Sequence, residues 1–189
     1  MAMVRLYTAQ RMQILDILEQ EGVYRVQQRF IDRKYGDSAW IFNEAYGFFR
    51  EKASALVPRP AGADSAIWLF YDARNALLSE DSALLCFDVP EELVIPFDMR
   101  LWYQVLNLRY IGQDAGDERR FYDKLRNMGL TDSLKLFSTP FYLTQKQEVK
   151  DSWMRLFPSR DCELSYRQAG VWELRKEWLV RADFPVPTI

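Results

Sequence analysis

Hydrophobic and polar positions alternate from the first residues. Val4 and Leu6 point one way and Arg5 and Tyr7 the other, which predicts a strand over Met3–Thr8. The period then lengthens to that of a helix: Ile14, Leu15, Ile17 and Leu18 make an apolar stripe that Gly22 ends. Gly22–Arg25 reads as a short extended piece. Asp37 or Ser38 is placed to cap an aromatic helix, with Trp40, Ile41, Tyr46, Phe48 and Phe49 expected on its buried side.

The run Val57-Pro58-Arg59-Pro60-Ala61-Gly62 interrupts regular structure and reads as a loop inside one domain. Ala66–Tyr71 and Ala83–Val89 are rich in β-formers. The first is apolar on both faces, as a central strand would be. Pro90 ends the second, and Leu93–Ile95 adds a short third. Asp98 opens a helix in which Trp102 joins the stripe of Leu101, Val105 and Leu106, while Tyr103 lies about 100° away. A more polar helix spans Asp117–Met128 and stops at Gly129. Thr144-Gln145-Lys146-Gln147 has capping-box spacing and opens a helix to about Phe157, with Val149, Trp153 and Leu156 as its core contribution. Leu164–Leu174 and Trp178–Phe184 read as paired strands before Pro185 and Pro187. Helices interleaved with about six short strands, lacking a βαβ rhythm, predict an α+β fold: one domain over 1–189, with a small, mainly antiparallel sheet and flanking helices.

Composition removes several chemistries. The 189 residues contain no histidine but 12 Phe, 6 Trp and 10 Tyr. No Ser-His-Asp or Cys-His nucleophile and no histidine-ligated metal is available. Net charge is −2, so no basic footprint marks a nucleic-acid partner. Met1–Gln10 has no long apolar core and no stretch approaches a membrane span, so a cytoplasmic protein off the membrane is expected. Cys86 sits in an apolar run as a buried thiol, and Cys162 lies in the polar stretch Ser159–Glu163; no disulfide is expected. Phosphate loops, nucleophile elbows and cysteine metal pairs are absent. Asp114–Glu118 lacks ligand spacing for calcium and reads as a solvated turn. Asp88, Glu91 and Glu92 read as an acidic turn at a strand end.

Five segments in order resemble the bacterial domain-of-unknown-function family 3841: Arg5–Gln10 with Glu21–Arg25, Ala66–Tyr71, Pro96–Asn107, Ser152–Phe157 and Tyr166–Val180. That likeness runs nearly end to end and supplies a family without an activity. A fainter one is mechanistic. Leu6-Tyr7-Thr8-Ala9-Gln10, Gly22-Val23-Tyr24-Arg25 and Gln168-Ala169-Gly170-Val171-Trp172 resemble, in order, the motifs of ADP-ribosyltransferase-like domains. The resemblance implies an NAD-type ligand and a pocket drawing on Arg5, Tyr7, Gln10, Tyr24, Arg25 and Gln168. Such a site stabilises an oxocarbenium-like centre with a carboxylate. This sequence departs there: Gln168 is neutral, and Glu173 falls five residues later, on the opposite strand face by parity.

Two readings follow. One is a pocket for a nucleotide or NAD-type small molecule. The other is a module that binds a partner protein without catalysis, favoured by Gln168 and by the aromatic excess.

Overall fold

The computed structural model describes residues 2–157 and 162–184. The predicted N-terminal strand extends to β1 (Met3–Arg11), because its alternation lets Leu6 and Thr8 be buried on one face. Next come α1 (Gln13–Glu21), ended by Gly22 in the left-handed region at φ 75°, and the short β2 (Val23–Tyr24). Helix α2 (Gln28–Tyr35) was not foreseen. Half its residues are charged, it buries only Ile31, and its first N–H draws a cap from across the fold, Gln28 N–H donating to Asp64 at 3.0 Å.

A turn over Gly36–Ser38 leads into α3 (Ala39–Ala53), without the side-chain cap expected from Asp37 or Ser38. The buried stripe of α3 is Ala45, Phe48, Phe49 and Ala53, with Ile41 and Tyr46 partly covered. Trp40 is exposed, since nine residues at 100° put it about 180° from Phe49.

Past the proline loop come β3 (Ile67–Phe70), β4 (Ser82–Pro90), β5 (Ile95–Asp98) and α4 (Met99–Leu106). Asp98 caps α4 as expected, accepting from Arg100 N–H at 2.8 Å. Helix α5 (Ala115–Asn127) starts at the acidic turn: Asp114 accepts from Asp117 N–H at 2.8 Å, and Asp117 takes the Tyr110 hydroxyl and Gln113 N–H. The short α6 (Ser133–Phe137) is a further addition. Helix α7 (Leu143–Ser152) begins at Tyr142, held at φ 61°, so the Thr144 capping box does not form. Its continuation over Trp153–Leu156 tightens to a 3-10 turn, and Val149, Trp153 and Leu156 are all fully buried, as the pattern predicted.

The last strands are β6 (Arg167–Val171), β7 (Leu174–Arg175) and β8 (Leu179–Asp183). The sheet is antiparallel throughout, in the order β5-β6-β3-β1-β4-β8, with β2 and β7 forming a separate pair. The two C-terminal runs therefore do not pair with one another. β6 lies between β5 and β3, whereas β8 adds to β4 at the far edge. The run breaks at Trp172–Glu173, and Leu174–Arg175 crosses to β2 before a turn over Lys176–Trp178 carries the chain away. Pro185, Pro187 and the stretch from Ser159 to Asp161 lie outside the described residues.

Two apolar clusters sandwich this sheet. Leu6, Leu69, Leu85, Phe87, Ala169 and Val171 face α1, through Ile14 and Leu18. On the other face Ile95, Phe97, Trp68 and Trp172 meet α3, α4 and α7. Phe49 is the hub there, its ring 4.8 Å from Trp68, 5.4 Å from Phe97 and 5.4 Å from Trp102. Gly170 in β6 lets that ring lie on the strand, because a Cβ there would sit 3.1 Å from Phe49 Cζ. Gly170→Val is expected to lower stability by about 1–3 kcal/mol, read from urea unfolding. A variant as stable as the parent would show that α3 can lift off β6 at no cost.

Candidate functional site

The six residues that the sequence singled out fall in three places. Tyr7 and Gln168 share one cross-strand row, Cys86–Tyr7–Phe70–Gln168–Phe97, so all five side chains leave the sheet on its α3 face. Tyr7 and Gln168 are two strands apart, roughly 10 Å. Gln168 is buried between Phe70 and Phe97, whereas Tyr7 is half-buried. Arg5 shares Tyr7's face and is gripped by Asp88 through two hydrogen bonds, at 2.9 and 2.8 Å. Gln10 projects from the opposite face and donates to Thr8, which itself donates to the Trp68 carbonyl. Tyr24 and Arg25 belong to the β2/β7 pair.

That pair builds a buried polar group. Its register sets Val23 opposite Arg175 and Tyr24 opposite Leu174, so the next position sets Arg25 opposite Glu173. Arg175, two residues beyond Glu173, returns to the same side. The outcome is a carboxylate, only 7% exposed, held between two guanidiniums. Arg25 donates to Oε2 through Nε at 2.8 Å and Nη2 at 2.6 Å. Arg175 donates to Oε1 through Nε at 2.7 Å and Nη2 at 2.6 Å. Burial pushes the Glu173 carboxyl up, but the hydrogen bonds from Arg25 and Arg175 more than offset it and hold the group below the ordinary glutamate range.

Beside this clamp lies a cavity of about 200 Å³. The proline loop supplies Val57, Pro58 and Pro60, and Leu93 and Val171 close the apolar wall. Trp172 and Trp178 line it with indoles, and Glu173 and Arg175 form its polar end. The rings are fixed. Trp172 Nε1 donates to the Val57 carbonyl at 2.9 Å, and the Arg175 guanidinium lies 5.5 Å over Trp178. A larger hollow of about 670 Å³ opens along α7, where Glu148, Asp151 and Arg155 line it. Each of those charges is already engaged, with Lys124, Gln147 and the Ile111 carbonyl respectively.

Sequence reasoning placed Arg25 in a site but set Glu173 aside by strand parity. Parity fails because β6 ends at Val171 and a break precedes β7. The usable signal was the spacing Glu173-x-Arg175 paired against Arg25. Nothing in the sequence brings Pro58 and Pro60 to Trp172. Of the other candidates, the described residues contain no group of three His, Cys, Asp or Glu side chains able to hold a metal, and Cys86 and Cys162 are free thiols. The second buried carboxylate, Asp98, is occupied by its cap and by Arg100 at 2.6 Å. No described helix is long and apolar enough to cross a membrane.

Fold and cavity define an α+β protein with an antiparallel sheet and a small tryptophan-lined pocket at one end of it. The chain belongs to the family described as domain of unknown function (DUF3841), whose model matches residues 5–180. No curated protein and no solved structure matches it.

Proposed function

We propose that this domain binds a small planar ligand, the ring end of a nucleotide or NAD-type molecule, in the pocket between the proline loop and Trp178, and that it does so without turnover. The cavity carries the reading. A cavity of about 150 Å³ accommodates one benzene ring, so about 200 Å³ suits a single ring system such as nicotinamide or a nucleobase. It is below the 300–1,000 Å³ of ordinary ligand sites, so the rest of a dinucleotide stays outside. Two fixed indoles and two prolines offer the flat apolar walls such a ring stacks on.

The absence of turnover rests on the carboxylates. ADP-ribosyl transfer needs an acid free to face the ribose. Gln168 is neutral and buried, and both oxygens of Glu173 are taken by arginines. The alternative of a partner-protein surface has less support at the β1, β4 and β8 end of the sheet, where the exposed charges pair with each other, Arg5 with Asp88 and Arg181 with Asp183. The free thiols fit the cytoplasmic setting read from the sequence.

The test is titration with nicotinamide, adenosine and NAD⁺ while following indole N–H resonances. Trp172 and Trp178 are expected to shift saturably while Trp40, at the far end of α3, stays in place, and no nicotinamide is released from NAD⁺. Unmoved Trp172 and Trp178 signals at millimolar ring-bearing ligand would sink the proposal.

A further inference from the structure

The geometry points to a ligand that carries an anionic group, a carboxylate or a phosphate, beside its ring. This rests on the pocket reading above and narrows it. Glu173 accepts four N–H donors, two from each arginine, so its lone-pair sites are filled. A ring edge that offers donors therefore finds no open acceptor on Glu173.

The arginine presents the opposite case. Nε and Nη2 of Arg175 are spent on Glu173, but among the described residues Nη1 meets only the Glu177 carboxylate, at 3.5 Å. That is too long for a good hydrogen bond, and Glu177 is 69% exposed and well screened by water. Two guanidiniums thus share one buried carboxylate, leaving local positive charge at the mouth of an apolar slot. The guanidinium is held over Trp178, so it and the stacking surface keep a fixed relation. An anion within reach of Nη1 would be received by a preorganised, charge-assisted donor.

Two sources supply this chemistry: an aromatic ring acid, or the phosphate of a nucleotide. Paired probes separate them. Nicotinate is compared with nicotinamide, and adenosine monophosphate with adenosine, each by the Trp172 and Trp178 resonances and by fluorescence. In at least one pair the anion is expected to bind about tenfold or more tightly than its neutral partner, and added salt should erode the difference. The pair showing the preference names the source. Arg175→Gln should abolish the preference, read as the ratio of the two affinities within a pair. Because that change also loosens Glu173, Glu177→Gln serves as the second variant; it leaves the clamp whole, removes a competing charge and should strengthen anion binding several-fold. Equal affinity within both pairs overturns the anion inference and leaves the ring pocket standing. No response of Trp172 and Trp178 to any of the four probes overturns both.

Discussion

Phe49→Ala is expected to remove about 3–5 kcal/mol of folding stability, the range for deleting a buried phenylalanine ring. Phe49 is fully buried and its ring contacts Trp68, Phe97, Trp102, Phe157 and Trp172, which come from the sheet, from α4 and from the segment after α7. Truncation opens a void that none of these large rings can fill, since each is held by other neighbours. Trp172 is tied to Val57, and Trp102 stacks against Tyr46. For a domain with about 5–15 kcal/mol in all, such a loss brings the chain close to unfolding at room temperature. Urea denaturation followed by far-UV circular dichroism measures it, with Tyr103→Ala, a change at an exposed side chain, expected within about 0.5 kcal/mol of the parent. If Phe49→Ala costs under 1 kcal/mol, the helical layer is held to the sheet by something other than this aromatic cluster.

The parts of the fold legible in the sequence are those where burial imposes a period. β1 alternates, β3 is apolar on both faces because an apolar cluster covers each face of the sheet there, and α4 places Trp102 inward and Tyr103 outward. What stayed hidden depends on partners distant in sequence. Helix α2 has one buried residue and a cap supplied by Asp64, so it offers no apolar stripe of several residues to mark it. Strand order was hidden for the same reason. Nothing local tells β8 to join β4 rather than β6, since both runs are apolar enough to pair.

The site shows the same division. Arg25 was legible as a residue of interest, and Tyr7 and Gln168 do share a row of the sheet. The pocket itself was not legible, because its walls come from Val57–Pro60, Leu93 and the Trp172–Trp178 segment, which meet only after the chain has crossed the sheet. The parity that set Glu173 aside assumed an unbroken strand. A two-residue break instead carries Glu173 out of that strand, to Arg25 and Arg175.

That break makes Glu173 the place where a single charge has the most to lose. Glu173→Gln keeps the shape and removes the charge that neutralises Arg25 and Arg175. Severing a buried ion pair costs about 3–5 kcal/mol; here about 2–3 kcal/mol is expected, because both guanidiniums remain roughly a third to a half in water. The pH dependence gives an independent check. The folded-state pKa of Glu173 is depressed, so the carboxylate contributes its stability in full above the unfolded value of about 4.3, and loses it as pH falls through the lower folded value. The parent should therefore lose stability more steeply than Glu173→Gln as the pH drops below about 4.3, and the gap between the two urea midpoints should narrow there. A gap that stays constant from pH 7 down to pH 3 would mean that the variant fails through packing, and that the two arginines need no anion between them. That outcome would also remove the filled carboxylate on which the ligand's charge was argued, so this titration precedes any search for the ligand.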